Sequence, residues 1–127
     1  MTGISGLHHV QVAAPPGCEA AARAFYGDLL GLRELEKPLL LALRGGCWFS
    51  LGAGELHVGV EDPFRPAEKA HPALSVESVE TLEALASRLT EAGKAVRWPD
   101  EAEIPGQRRF FTADPWGNRL ELVVAAR

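Results

Sequence analysis

The spacing of apolar residues changes several times along the first half of the chain and divides it into short elements. Apolar and polar positions alternate over Leu7–Ala14, which predicts a strand, and a Pro-Pro-Gly segment ends it. Over Cys18–Leu30 the apolar residues recur every three or four positions, which predicts a helix with one face packed on a sheet. Gly31 suits the C-terminal end of this helix.

The same order of elements occurs twice. In the first half, glycine and proline residues separate three strand candidates, which are Arg33–Glu36, Leu39–Leu43 running towards Cys47–Leu51, and Glu55–Val60. The second half predicts a strand at Ala73–Val76, a helix from Ser78 or Thr81 to about Ala92, and strands at Ala95–Trp98, Gln107–Ala113 and Leu120–Ala125. Each half therefore consists of a strand, a helix and three strands, and the halves divide near Asp62–Pro66.

One such half would leave a sheet face exposed, because it has no second layer on that side. Two halves can pair into a curved eight-stranded cup, whose concave face would hold a ligand. The pattern predicts an α+β fold in one domain spanning residues 1–127, with a first module at about 6–62 and a second at about 70–125.

Side chains that can bind a metal occupy equivalent places in the two halves. His9 and His71 lie on the first strands, while His57 and Glu121 lie on the last strands, with nearly equal spacing between equivalents. Imidazole nitrogens and a carboxylate bind borderline divalent metals and leave positions open for water or substrate. We predict His9, His71 and Glu121 as ligands, with His57 as a possible fourth.

Each of these residues also has a structural interpretation. A single histidine on a strand is more often hydrogen-bonded than metal-bound, and the repeat-equivalent placement is what favours a metal. Strand alternation puts His8 on the opposite face from His9 and indicates a structural role. Glu121 could be a surface charge, but it lies in an apolar segment, where a carboxylate needs a partner.

The composition and charge of the chain indicate that its partner is a small molecule. The net charge of −4 provides no excess of cations for nucleic acid or anionic membranes. No apolar run is long enough to span a bilayer and the first residues do not resemble a signal peptide, so we expect a cytoplasmic protein. Cys18 and Cys47 lack any metal or disulfide motif and are interpreted as small buried apolar residues.

Five segments together resemble the vicinal oxygen chelate superfamily, which includes glyoxalase I, fosfomycin-resistance thiol transferases, extradiol dioxygenases and bleomycin-resistance proteins. The segments are LHHVQVA at Leu7–Ala13, AFYGDLLGL at Ala24–Leu32, LHVGVED at Leu56–Asp62, AHPALSV at Ala70–Val76, and FFTADPWGNRLEL at Phe110–Leu122. The resemblance implies two βαβββ modules around a divalent metal (Zn, Ni, Mn, Fe or Co), with His9, His71 and Glu121 at ligand positions. It also implies a homodimer.

The chain departs from the patterns of individual families in this superfamily. His57 occupies a position that is often Glu in glyoxalase I, where a metal-bound carboxylate moves the proton. Phe111 replaces a Tyr of the extradiol dioxygenases and of the fosfomycin-resistance thiol transferases. Residues 92–110 contain no His, whereas the dioxygenases place an acid–base histidine there, beside the metal ligands.

Residues on the predicted middle strands are candidates for the substrate pocket. Arg109 and Phe111 share one face of their strand, so Phe111 could form a pocket wall and Arg109 could pair with a carboxylate or phosphonate. Arg109 could equally be a solvated strand end. In the first half either Trp48 or Phe49 lines the equivalent wall, and Trp116 lies in a turn at the rim.

The leading hypothesis is a metal-dependent enzyme that binds vicinal oxygens, with Glu121 as ligand and possible base and His57 as ligand or base. A glyoxalase-like lyase or isomerase, or a thiol transferase, ranks first, and ring-cleaving oxygenation ranks second. The alternative hypothesis is that the protein is not an enzyme but a metal-free drug-binding protein like the bleomycin-resistance proteins.

Overall fold

The structure is a computed structural model that describes residues 3–124, and it divides between Arg65 and Pro66 into two compact units. The first unit contains β1 (His9–Ala14), α1 (Glu19–Ala22), a π-helical segment (Arg23–Leu29), β2 (Glu34–Leu35), α2 (Leu39–Ala42), β3 (Cys47–Leu51) and β4 (Gly54–Val60). The second contains β5 (Ala73–Ser75), α3 (Val79–Glu91), β6 (Arg108–Ala113) and β7 (Arg119–Val124). The chain therefore has two similar modules, each with its own mixed sheet.

In the first unit, the four strands form a sheet in the order β1-β4-β3-β2. β1 runs parallel to β4, and β3 runs antiparallel to both β4 and β2. Strand alternation gives the sheet two faces of different character. One face carries buried apolar side chains, including Val12, Phe49 and Leu56, and the other carries polar and aromatic side chains.

The helix predicted over Cys18–Leu30 forms, but only its first turn is α-helical. α1 continues directly into the π-helical segment, which buries Phe25 and Tyr26. The ring of Tyr26 packs against Phe49 of β3 at a centroid distance of 5.8 Å. The predicted apolar stripe is therefore the surface that attaches this helix to its sheet.

The prediction of a strand at Leu39–Leu43 is wrong, because this segment forms the short helix α2. Pro38 precedes it as the N-cap, and its carbonyl accepts hydrogen bonds from the backbone N–H groups of Leu41 and Ala42. Leucine and alanine favour helix over strand, and a short unbroken apolar run does not distinguish the two. Leu39, Leu40 and Leu43 are exposed.

A carboxylate ties the first helix to the start of β3. Glu19 Oε2 accepts a hydrogen bond of 2.6 Å from the backbone N–H of Gly46. This bond is the main reason why the pKa of Glu19 lies below its ordinary value of 4.5. Because the ionised form is the better acceptor, the contact stabilises the fold only while Glu19 is charged.

We therefore expect the stability contributed by Glu19 to depend on pH. It is complete above pH 4.5, the unfolded value, and is lost as the pH falls through the lower folded value. Glu19→Gln should lower the melting temperature more at pH 7 than at pH 3, because part of the charge-dependent contribution is lost at the lower pH. Thermal denaturation of both proteins at the two pH values measures this, and an equal loss at both would show that the charge of Glu19 contributes nothing.

In the second unit, the strands form a sheet in the order β5-β7-β6. β5 is parallel to β7 and β6 is antiparallel to it, so the connectivity repeats that of the first unit. The prediction that Ser78 begins the helix is confirmed, since its hydroxyl accepts from the N–H of Thr81 as an N-cap. Leu82, Ala86 and Leu89 of α3 are buried.

The strand predicted at Ala95–Trp98 is reduced to a single bridge between Arg97 and Phe111. Pro99 follows immediately and cannot donate a ladder hydrogen bond, which limits extension of the strand. The described strands therefore number four and three, where eight were predicted. The last predicted strand forms as β7, and its predicted final residue, Ala125, lies outside the described residues.

Cys18 and Cys47 are both buried and free, which confirms their interpretation as small apolar residues. Burial raises the pKa of Cys47 to about 11 and also raises that of Cys18, so both thiols stay protonated at neutral pH. Among the described residues, the helices lack the length and hydrophobicity that a bilayer span requires.

Candidate functional site

The polar face of the first sheet brings together residues of β1, β3 and β4. His57 lies opposite Gln11 on one side and Trp48 on the other, so these three side chains form a row across the strands. His9 and Glu55 form the neighbouring pair on the same face. Of the two aromatic residues considered for this wall, Trp48 faces the row, whereas Phe49 is fully buried on the other face.

Three rings of this face are stacked. His57 lies between Trp48, at a centroid distance of 4.2 Å and 6° between planes, and His9, at 4.3 Å and 15°. An imidazole nitrogen directs its lone pair within the plane of the ring, so an ion bound by two rings must lie near both planes. The nearly parallel rings of His9 and His57 cannot meet this condition without one of them turning.

His57 is instead paired with a carboxylate that the sequence reasoning missed. Its Nε2 lies 2.8 Å from Oε1 of Glu55, and this hydrogen bond is the largest cause of the lowered pKa of Glu55. Because an ionised carboxylate only accepts, Nε2 carries a hydrogen, and in the neutral ring Nδ1 then keeps a lone pair. The spacing of two residues along one strand could have identified the pair, since such residues share a face.

A cavity of about 280 Å³ adjoins this row in the first unit. Trp48 and His57 line it, together with Lys37, Leu41 and Arg44. The Nζ atom of Lys37 lies 6.0 Å from the centroid of the Trp48 ring. The cavity therefore combines an aromatic surface, two cations and an imidazole, which suits a small polar or anionic molecule.

The prediction that His8 faces away from His9 is wrong. β1 begins at His9, so strand alternation does not extend back to His8. The Nδ1 atoms of the two rings are 3.0 Å apart, and the rings meet edge to face at 5.2 Å. His8 is therefore a neighbour of the candidate ligand.

In the second unit, the candidate ligands His71 and Glu121 are in direct contact. Nε2 of His71 lies 3.1 Å from Oε1 of Glu121, and Nδ1 of His71 lies 3.0 Å from the carbonyl oxygen of Lys69. A carbonyl only accepts, so Nδ1 carries a hydrogen. In the neutral ring, Nε2 is then an acceptor facing a carboxylate, and a cation between them would satisfy both.

Arg109 is also part of this group. Its guanidinium lies 3.5 Å from Oε2 of Glu121 and 2.9 Å from Oε1 of Glu103, and the side chain is only 11% exposed. Arg109 is therefore an ordered, paired residue rather than a solvated strand end. The expectation that Glu121 needs a partner is confirmed, because the buried carboxylate contacts both Arg109 and His71.

Phe111 lies opposite Glu121 on β6, with its ring almost fully buried. The guanidinium groups of Arg97, Arg109 and Arg119 lie over it, so charged side chains cover much of the predicted pocket wall. Of these three arginines, only Arg109 was predicted from the sequence to lie at the pocket. Trp116 lies in the turn before β7 and is half-buried.

The register shows that the candidate residues occupy equivalent positions in the two units. Gln11, two residues after His9, pairs with His57. In the same way Ala73, two residues after His71, pairs with Glu121. Trp48 lies opposite His57 as Phe111 lies opposite Glu121. Among the described residues, no group of three His, Cys, Asp or Glu side chains is arranged so that it could hold a metal ion.

Known proteins share the sequence pattern and the fold of this chain. The sequence model of the Glyoxalase/Bleomycin resistance protein/Dioxygenase superfamily matches residues 6–122. A crystal structure assigned to the glyoxalase family, from Bacillus anthracis, is similar with a TM-score of 0.89 and 46% identity, over 98% of both chains.

Two more distant structures share the fold. A genomically encoded fosfomycin resistance protein from Listeria monocytogenes has a TM-score of 0.76 and 18% identity, over 97% of this chain and 95% of that one. A lactoylglutathione lyase from Agrobacterium tumefaciens has a TM-score of 0.73 and 18% identity, over 97% and 96%. A comparison with curated protein sequences gives no significant match. The chain has a glyoxalase-like α+β fold and belongs to the glyoxalase/bleomycin resistance protein/dioxygenase superfamily.

Proposed function

We propose that this protein is a metal-dependent lyase or isomerase that moves a proton on a small oxygen-bearing substrate. The observation that carries the proposal is the contact of 3.1 Å between Nε2 of His71 and Oε1 of Glu121. The proposal assigns metal binding to His9, His71 and Glu121, and proton transfer to His57.

The chemistry of the His71–Glu121 pair fits a divalent ion. Metal–ligand bonds to imidazole nitrogen and carboxylate oxygen are about 2.0–2.2 Å long, which separates neighbouring ligand atoms by roughly 3 Å. The contact of His71 Nδ1 with the carbonyl of Lys69 is the kind of outer hydrogen bond that fixes the ring of a metal-binding histidine. Glu121 would supply a negative charge to the ion. In the structure its carboxylate is buried and lies beside Arg109.

His9 is proposed as the third ligand because its position in the first unit is equivalent to that of His71 in the second. Two neutral imidazoles and one carboxylate leave coordination positions open, and Zn, Ni, Mn, Fe or Co would suit such a set. A bound ion would act as a Lewis acid that polarises a substrate oxygen.

His57 is proposed as the general base rather than as a fourth ligand. Its ring stacks on His9, which prevents the two from sharing an ion as they are arranged, and Glu55 holds Nε2 at 2.8 Å. A histidine whose second nitrogen is held by a carboxylate is the arrangement that general bases use. Nδ1 of His57 would take the proton from the substrate. The ring of Trp48, which stacks on His57 in the same cavity, would limit the access of water to it.

This assignment favours proton transfer over oxygenation. Phe111 provides no ionisable group beside Glu121, while His57 and Glu55 provide an acid–base pair. The fold is shared with a lactoylglutathione lyase and with a fosfomycin resistance protein, so a lyase or isomerase reaction or a thiol transfer is the first activity to assay. A ring-cleaving dioxygenase activity is the second.

We also propose a cytoplasmic location and a homodimer. The support for a reducing compartment is that both cysteines are free and buried. The dimer follows from the resemblance to the superfamily. Cell fractionation and light scattering of the purified protein test these proposals, and a secreted protein or a strict monomer would contradict them.

Elemental analysis and calorimetric titration test the metal centre. We expect about one ion per chain in the wild type, and loss of the high-affinity site in both His9→Ala and His71→Ala, with circular dichroism unchanged. Because the two histidines would hold the same ion, each single variant should already lose that ion, and the double variant should bind the same number of ions per chain as either single variant.

The number of ions lost in each variant distinguishes one shared metal site from two independent sites. Independent sites in the two units would appear as loss of only half the metal in each single variant, and would contradict a shared centre. If the wild type binds none of Mn, Fe, Co, Ni or Zn, the enzyme proposal is wrong, and screening should turn to metal-free binding of drug-like molecules.

A further inference from the structure

Two consecutive ion pairs connect an exposed loop with the candidate site of the second unit. Residues 99–107 precede β6, and Oε1 of Glu103 in this loop accepts a hydrogen bond of 2.9 Å from the guanidinium of Arg109. The same guanidinium lies 3.5 Å from Oε2 of Glu121. The exposed fraction of the side chain is 58% for Glu103, 11% for Arg109 and 10% for Glu121. The ion pairs therefore lead from the surface to a buried carboxylate.

The two oxygens of Glu121 have different partners. Oε1 lies 3.1 Å from Nε2 of His71, where the metal is proposed to bind, and Oε2 faces Arg109. An ion bound between His71 and Glu121 would therefore not have to displace Arg109. The guanidinium would stay close to that ion and repel it as a like charge. Because Arg109 and Glu121 are both buried, salt screens this repulsion only weakly.

Glu103 offsets the charge of Arg109. The guanidinium is closer to Glu103 than to Glu121, and only the shorter distance lies within the usual range of a hydrogen bond, about 2.7–3.2 Å. When ionised, the two carboxylates and the guanidinium together carry one net negative charge, and without Glu103 they would carry none. The guanidiniums of Arg97 and Arg119 lie over the aromatic ring opposite Glu121 and add further positive charge. A cation at Glu121 therefore benefits from the charge of Glu103.

We propose that Arg109 lowers the affinity of Glu121 for a divalent cation and that Glu103 limits this effect. The inference rests on the proposed function, because it takes Glu121 to be a metal ligand. Glu103 acts through Arg109 rather than on the ion itself, so it is a positioning residue. The affinity of a buried site then depends on a carboxylate that an exposed loop holds in place.

Calorimetric titration of the wild type, Glu103→Gln and Arg109→Gln with Zn and with Mn tests the inference. Arg109→Gln should bind each ion about tenfold more tightly, because a like charge beside the ligand is removed. Glu103→Gln should bind about threefold more weakly, since an exposed ion pair contributes less than a buried one. The double variant should bind nearly as tightly as Arg109→Gln, because Glu103 acts through Arg109.

Glu101→Gln is the matched control. Glu101 lies on the same loop and pairs with Arg108 of β6 at 3.1 Å, so its substitution also removes one negative charge and one ion pair. Arg108 lies over Trp98, at 4.1 Å from its centroid, and pairs with Glu101 rather than with the candidate ligand. The affinity of this variant for metal should therefore equal that of the wild type.

The direction of the changes excludes simple damage to the fold. Damage would weaken metal binding in both Glu103→Gln and Arg109→Gln, whereas the inference predicts changes of opposite sign. Circular dichroism checks that each variant is folded. If Arg109→Gln does not fold, the comparison of Glu103→Gln with Glu101→Gln still decides, because equal affinities in these two variants would overturn the inference.

The outcomes also distinguish this inference from the proposed function. If the wild type binds metal and Arg109→Gln binds it no more tightly, the inference is overturned and the metal centre stands. If the wild type binds no ion and Arg109→Gln does, the inference is supported and the metal-dependent activity proposed for the wild type is wrong. If neither protein binds an ion, both proposals are wrong.

Discussion

Glu121→Gln should weaken metal binding by at least about 100-fold and abolish turnover with it, while the protein stays folded. The substitution keeps the shape of the side chain and removes the only negative charge assigned to the ion. Changes to residues that merely orient a ligand cost 10–100-fold, so loss of a ligand should cost no less. Titration with Zn, Ni and Mn, together with assays of lyase and transferase activity, measures both effects.

The fold should survive because the neighbours of Glu121 keep other partners. Arg109 remains paired with Glu103, and Nδ1 of His71 remains on the carbonyl of Lys69. Glu68→Gln is a matched control, because it removes the same charge from an exposed position of the same unit. If Glu121→Gln binds metal within about threefold of the wild type, Glu121 is not a ligand.

The second large effect is expected from Gly46→Ala, which should cost about 3 kcal/mol or more of folding free energy. Gly46 has a φ of +84°, and a Cβ atom there would lie 2.1 Å from the carbonyl oxygen of Val58. This oxygen belongs to the backbone of β4 and cannot move without breaking the pairing of Cys47 with Val58. The loss combines backbone strain with displacement of a central strand.

Gly52→Ala is the control for the backbone conformation alone. Gly52 also has a positive φ, of +57°, but no atom lies within 4 Å of the added Cβ. We expect a cost of about 1 kcal/mol, from the conformation alone. Urea denaturation of the two variants measures the difference, and equal losses would show that the contact with Val58 is easily relieved.

Much of the fold could be predicted because periodicity and turn residues agreed. The repeated order of elements, both main helices and the strands that carry the candidate ligands follow from apolar spacing and glycine positions. The segment Leu39–Leu43 could not be assigned, because a short apolar run fits either a strand or a helix started by Pro38. The strand at Ala95–Trp98 failed for the opposite reason, since its pattern was adequate but Pro99 limited the pairing.

The residues proposed as metal ligands could be predicted from their spacing, whereas their contacts could not, and the pairing of Glu55 with His57 was missed. The equivalence of His9 with His71 could be read from spacing, whereas the stacking of His9 on His57 depends on side-chain rotation. The arginines around Phe111 were hidden because they are distant in sequence and meet only through the pairing of β6 with β7 and with Arg97. Side-chain rotation decided the stacking and strand register decided the arginine contacts, and neither can be read from the spacing of residues along one strand.

The shared register of the two units gives each candidate position in one unit an equivalent position in the other, and each can change by itself. The place held by Glu121 in one unit is held by His57 in the other, and the place of Phe111 is held by Trp48. Because the position occurs twice, two chemical roles can be carried by two different residues. In the proposed mechanism, one half provides an anionic ligand, Glu121, and the other provides an imidazole base, His57.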